Sequence, residues 1–128
     1  MNITVDMPPI IPVFKYNHPL KKAFNKGLLP KDFKGIYGKK LTKKNVSIEH
    51  ITPASQGGRT VTSNIFLADK TENSKRGVKP ILEVITKQQI IEHLKQFINI
   101  KNKFIDGLEY IKIMCKRFSI NIREVLND

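Results

Sequence analysis

A chain of 128 residues with a single cysteine, Cys115, has the size of one domain burying its own core; it has no internal disulfide and no zinc-ligand set of the usual spacing. Twenty-three Lys and Arg against 11 Asp and Glu leave a net charge of +12, well beyond what solubility asks for, which points to a polyanionic partner. No apolar run approaches a bilayer's width, and MNITVDMPP carries Asp6 and two prolines where a secretory leader needs basic and then apolar residues. The expectation is an intracellular, non-secreted protein in the cytoplasm or the DNA-containing compartment, without membrane contact.

Residues 1–44 read as a basic N-terminal arm and short helix. PPIIPVF has three prolines and no helical period, so it is an extended arm. HPLKKAFNKGLL, from His18, reads as a helix with Pro19 at its first position, Leu20, Ala23 and Phe24 on one side, and Gly27 as its stop. A second helical turn is expected from Pro30, then a basic turn, GIYGKKLTKKN. The charge is densest here: residues 1–50 hold ten lysines against three acids.

Residues 45–79 form the next unit. NVSIEHI (45–51) and VTSNIFLA (61–68) are strand candidates joined by TPASQGGRT, in which Pro53 ends the first strand and Gly57-Gly58 lets the chain reverse. DKTENSKRG reads as a short helix with Asp69 or Thr71 near its N-cap and Gly77 at its end. From Pro80 to residue 128 the period turns helical, from Ile81 through Leu94, Phe97, Ile111 and Met114 to Phe118, as two or three amphipathic helices that break near Asn99 to Asn102 or at Gly107. Their apolar face is core or a homodimer seam, Cys115 is a buried small hydrophobe, and SINIREVLND is a last short helix capped by Ser119. His18 is expected to cap or lie at the surface, and His93 to be partly exposed.

Within the strand-loop-strand-helix unit the polar residues fall at suggestive spacings. Glu49-His50 end the first strand, Asn64 follows 14 residues after His50 in the second, and Asn73 lies 23 residues after it on the helix. A hairpin packed on that helix brings all four together. The segment EHITPASQGGRTVTSNIFLADKTENSKRG (49–77) resembles the HNH endonuclease family, whose pattern is an acid and a His, an Asn, then a His or Asn on a helix followed by a basic residue and Gly. The spacing is also similar to that of the HNH nuclease domain of RNA-guided CRISPR effectors, and the third position makes this an HNN variant. The resemblance implies an α+β fold with a ββα-metal core. It further implies DNA as partner, Asn64 tying the loop ends so that His50 is fixed, and a divalent ion, Mg²⁺ or Mn²⁺. The paired cysteines that bind structural zinc in many members are missing, so none is expected, and Tyr37, Ile48, Ile65, Phe66 and Leu67 are expected to hold the hairpin against the C-terminal helices.

The chemistry agrees with that assignment. Phosphodiester hydrolysis needs a base to activate water, a metal to neutralise developing charge, and groups that hold the backbone in line. His50 can take a proton near neutral pH, Glu49 and Asn73 offer hard oxygen ligands suited to Mg²⁺, and Lys39, Lys40, Lys43, Lys44, Arg59, Lys75 and Arg76 are candidates for phosphate contacts. The catalytic set is therefore His50, Asn64 and Asn73, with Glu49 and Asn73 on the metal. The alternatives are a non-catalytic nucleic-acid-binding module on the same fold and an interaction protein whose basic face meets an acidic protein. Target sequence, and a homing, restriction, packaging or resolving role, stay open.

Overall fold

The computed structural model describes residues 17–127; the proline-rich arm lies outside them. The elements run α1 (Pro19–Asn25), β1 (Val46–His50), β2 (Ile65–Asp69), α2 (Lys70–Arg76), α3 (Lys87–Lys95), α4 (Gly107–Phe118) and α5 (Arg123–Leu126). Helix and a small antiparallel sheet make an α+β domain, in which β1 pairs β2 from Val46 opposite Asp69 to His50 opposite Ile65.

Local chemistry sets the boundaries. Pro19 at the first helical position pre-sets φ for α1, and the His18 side chain caps it by accepting the Leu20 N–H at 3.0 Å. Asp69 ends β2 and also caps α2 by accepting the Glu72 N–H at 3.0 Å, so strand and helix join with no loop between them. Gly77, with φ +58, stops α2.

Four expectations give way. Residues 30–34 form turns rather than a helix, and Lys34 bridges Lys40 in extended geometry. The second strand starts at Ile65, because residues Thr62–Asn64 form a 3₁₀ turn that places Asn64 just before the strand. Gly107 begins α4, so the helical break falls over residues 96–106, around Asn99 to Asn102, and not at Gly107. Its hydrogen-bearing face sits against the Phe97 carbonyl, and a Cβ there would lie 2.1 Å from that oxygen. Ser119 ends α4 in the left-handed region, while Ile122 stands at the N-cap of α5.

The C-terminal helices close over the sheet. Tyr110, Ile111, Met114, Cys115 and Phe118 of α4 are buried, as are Ile90, Ile91 and Leu94 of α3. The stripe that offered a dimer seam is thus part of the chain's own core. Phe66 of β2 stacks on Phe118 with centroids 5.8 Å apart, and the Tyr110 hydroxyl donates to the Ile65 carbonyl at 2.8 Å. Truncating a fully buried residue such as Leu94 or Phe66 to Ala costs about 2–5 kcal/mol in such a setting. His93 is buried, not partly exposed: its ring meets Phe33, Phe66 and Phe97 edge-on, and burial lowers its pKa to about 4. Among the described residues no helix is long and apolar enough to cross a membrane.

Candidate active site

The hydrogen-bond register decides which atoms of β1 are left for the site. The Ile51 N–H bonds Asn64 and the Lys70 N–H bonds Asn45, so odd-numbered residues of β1 face β2 and the carbonyls of Ile48 and His50 point to the other edge. Helix α2 crosses that edge. Asn73 Nδ2 donates to Ser47 Oγ at 3.0 Å and to the Ile48 carbonyl at 3.2 Å, and the Arg76 guanidinium reaches the carbonyls of His50 (2.7 Å) and Ile51 (2.6 Å). Two side chains of the helix do for this edge what a neighbouring strand would do.

A cleft of about 740 Å³ opens beside it. Its wall includes His50 and Asn73, the Pro53–Ser55 loop, Lys43 and Lys70, and Lys21 and Asn25 from α1. Among the described residues no Asp or Glu lines it. His50 is only 9% exposed, its Nε2 lies 2.8 Å from Thr60 Oγ1, and burial lowers its pKa.

The loop that carries Thr60 is closed by Asn64. Asn64 Oδ1 accepts from the Thr52 N–H at 2.8 Å, and its Nδ2 donates to the carbonyls of Thr52 (3.1 Å) and Arg59 (2.9 Å). Arg117 of α4 adds bonds to Asn64 Oδ1, the Ser63 carbonyl and Thr52 Oγ1, tying the loop to the helical layer. Gly58 fits inside the closure because it has no side chain; a Cβ would lie 1.7 Å from the Thr52 carbonyl oxygen.

Glu49 is placed differently from its neighbour. Its carboxylate is fully buried, does not line the cleft, and takes both of its hydrogen bonds on Oε2, from the Tyr37 hydroxyl and from Arg76 Nη1 at 3.0 Å. Oε1 is buried with no hydrogen-bond partner among the described residues. Burial pushes the Glu49 carboxyl up, and the bonds from Tyr37 and Arg76 pull it down. An uncompensated buried oxygen of this kind is costly and fits a missing ion or water. Asn73 makes both of its bonds through Nδ2, which leaves Oδ1 outside them. Glu49 and Asn73 thus each carry one oxygen outside these bonds, but Glu49 Oε1 is buried off the cleft that Asn73 lines, and no group of three His, Cys, Asp or Glu able to hold a metal forms among the described residues.

The expected phosphate-binding residues divide. Arg76 is corrected outright: it borders the cleft, but its guanidinium is buried, ion-paired to Glu49 and bonded to three carbonyls, including Lys79 at 2.7 Å. Lys39 leans on Asp69 at 3.8 Å, Lys40 pairs Asp32 at 2.7 Å, and Lys75 pairs Glu72 at 3.4 Å. Lys44 and Arg59 are exposed away from the cleft lining, which leaves Lys43. Lys21, Asn25 and Lys70 line the cleft and were not singled out from the sequence. Lys21 and Asn25 stand at i and i+4 on α1, a spacing that puts them on one face and was readable in LKKAFN.

No family model matches the chain, and neither the curated proteins nor the solved structures give a match.

Proposed function

We propose that the chain is a metal-dependent endonuclease of the HNH type that hydrolyses DNA phosphodiester bonds, with His50 as general base. The observation that carries this reading is the cleft itself: an oriented, largely desolvated imidazole and the α2 asparagine line one lysine-bearing groove that holds no carboxylate among the described residues. A phosphate diester is attracted to such a groove, and a general base must be neutral to act in it.

Each residue has a role in this reading. In the tautomer that donates Nε2–H to Thr60, the lone pair of His50 stands on Nδ1 and takes the proton of the attacking water. Asn64 closes the loop that carries Thr60 and so sets the ring's direction. Glu49 through Oε1 and Asn73 through Oδ1 would hold the Mg²⁺-type ion, which supplies charge neutralisation at the phosphate and leaving oxygen. Asn73 also keeps α2 on β1, so the ligand and the base share one rigid junction.

A non-catalytic binding module is favoured by one observation, the engagement of Glu49 by Arg76 and Tyr37 away from the cleft wall. Conversion of supercoiled plasmid with Mg²⁺ separates the two. The wild type should nick or linearise it, and His50→Ala should bind DNA but lose ~10²- to 10⁴-fold in rate. Equal rates for both proteins, or no cleavage by either under Mg²⁺ or Mn²⁺, would overturn the nuclease reading.

A further inference from the structure

Two parts of the chain line the groove: the strand-loop-strand-helix unit, which contributes Lys70 at the start of α2, and α1 with the turn at Lys43. Leu20 and Ala23 of α1 are fully buried, so the helix is packed firmly and presents Lys21 and Asn25 to the cleft. Its start is tied to the same loop that orients the histidine: His18 Nε2 lies 3.2 Å from Thr62 Oγ1, two residues from the Thr60 that holds His50.

Lys43 and Lys70, unlike Lys39, Lys40 and Lys75, make no ion pair among the described residues. Among the described residues they line a groove that holds no acid.

We propose that Lys43 and Lys70, together with Lys21 and Asn25 of α1, form a wall that grips the sugar-phosphate backbone of a single nucleic-acid strand beside His50. This deepens the nuclease reading and rests on it for the position of the scissile bond, but the grip itself does not require turnover. The lysines take phosphates as point charges and Asn25 a sugar or phosphate oxygen. The strand can be one side of a duplex or a separated strand, and both present the same chemistry.

The test is fluorescence anisotropy with 5′-fluorescein duplex and single-stranded DNA of the same sequence, titrated across salt in EDTA so that binding is read without cleavage. Lys43→Gln/Lys70→Gln should flatten the plot of log affinity against log salt by about 1.8 on duplex or about 1.4 on single strands. Lys112→Gln/Lys116→Gln, whose parent lysines are exposed on α4 and absent from the cleft lining, should leave it within 0.3 of wild type, taking ~0.3 as a third of one phosphate contact. A fall confined to one probe identifies the source of the strand. An unchanged slope on both probes, for a Lys43→Gln/Lys70→Gln protein with wild-type circular dichroism, overturns the wall. Plasmid cleavage is run alongside. A wild type that cuts nothing while the double variant loses affinity sinks the nuclease reading and keeps the wall, whereas a double variant that binds and cuts like wild type does the reverse.

Discussion

Arg76→Ala asks whether this residue belongs to the fold or to the substrate. Its side chain is 2% exposed and engages Glu49 Oε2 and the carbonyls of His50, Ile51 and Lys79. Removing it strands a carboxylate that is itself fully buried, and breaking a buried pair from one side costs about 3–5 kcal/mol. The loss is a large part of a typical folding free energy of about 5–15 kcal/mol. Three carbonyls also lose a charged donor, but water entering the vacated space replaces some of those bonds, so the pair-breaking figure is the working one. In a Glu49→Gln background the same change strands no charge, and the coupling between the two sites should be about 0.5–3 kcal/mol. Urea unfolding of the four proteins of this cycle, followed by circular dichroism, gives both numbers. The salt dependence of DNA binding should be unchanged wherever the variant is folded. A folded Arg76→Ala protein within about 0.5 kcal/mol of wild type, with its salt slope down by about 0.9, would refute the structural role and return Arg76 to the phosphates.

Other perturbations read other parts of the site. Burial lowers the His50 pKa, so the base stays neutral below the usual ~6.5, and the plasmid cleavage rate should hold down to that pH and fall only beneath it; a half-maximal rate at or above ~6.5 contradicts the buried ring. His93 binds its proton only near pH 4 when folded but near 6.5 when unfolded, so between those values the unfolded state holds more protons. Its contribution is therefore complete above pH 6.5 and is lost as pH falls to about 4, about 3 kcal/mol in all, and His93→Phe should flatten that segment of a stability-pH curve measured by urea unfolding. Gly58→Ala puts a methyl 1.7 Å from the Thr52 carbonyl oxygen, so the loop must open; stability should drop by about 1–3 kcal/mol and cleavage should fall with it, in urea unfolding and plasmid assays of the same preparation.

Much of the fold was legible because its signals are local. Pro19 after His18, Asp69 ahead of KTEN and Gly77 after Arg76 are cap chemistry, and they mark α1 and α2 to within a residue. β-prone residues in NVSIEHI, ended by Pro53, located β1. The errors fall where tertiary contacts outrank propensity. VTSN has strand-forming residues, yet the side chain of Asn64 is needed to bond Thr52 and Arg59, and the chain turns through a 3₁₀ segment to bring it there. Gly107 looks like a breaker, but what it permits is close approach to the Phe97 carbonyl, a contact between parts of the chain ten residues apart. His93 looks half-exposed beside Glu92, and only the packing of Phe33, Phe66 and Phe97 around it reveals a core ring.

For the site, spacing along the chain proved informative about proximity and silent about direction. His50 and Asn73 line one cleft, and Asn64 closes the loop that follows β1, because a hairpin crossed by the following helix leaves little choice. Direction follows a different rule, the two-residue period of a strand, which sends adjacent side chains to opposite faces. Glu49 and His50 are adjacent within a regular β1, so both cannot lie flat against the same groove, and the sequence already contained that constraint. The buried partner was also foreseeable in kind: a carboxylate turned inward needs a cation, and the basic residue placed one turn beyond Asn73 on the same helix is Arg76. What that leaves exposed to question is Oε1, the one oxygen of Glu49 that neither Tyr37 nor Arg76 satisfies. If an ion answers it, Glu49→Gln should weaken Mg²⁺ binding followed by isothermal titration with His50→Ala as the parent protein, so that no cleavage intrudes. If Glu49→Gln leaves the Mg²⁺ affinity of that parent unchanged, the carboxylate serves only to hold Arg76 in place.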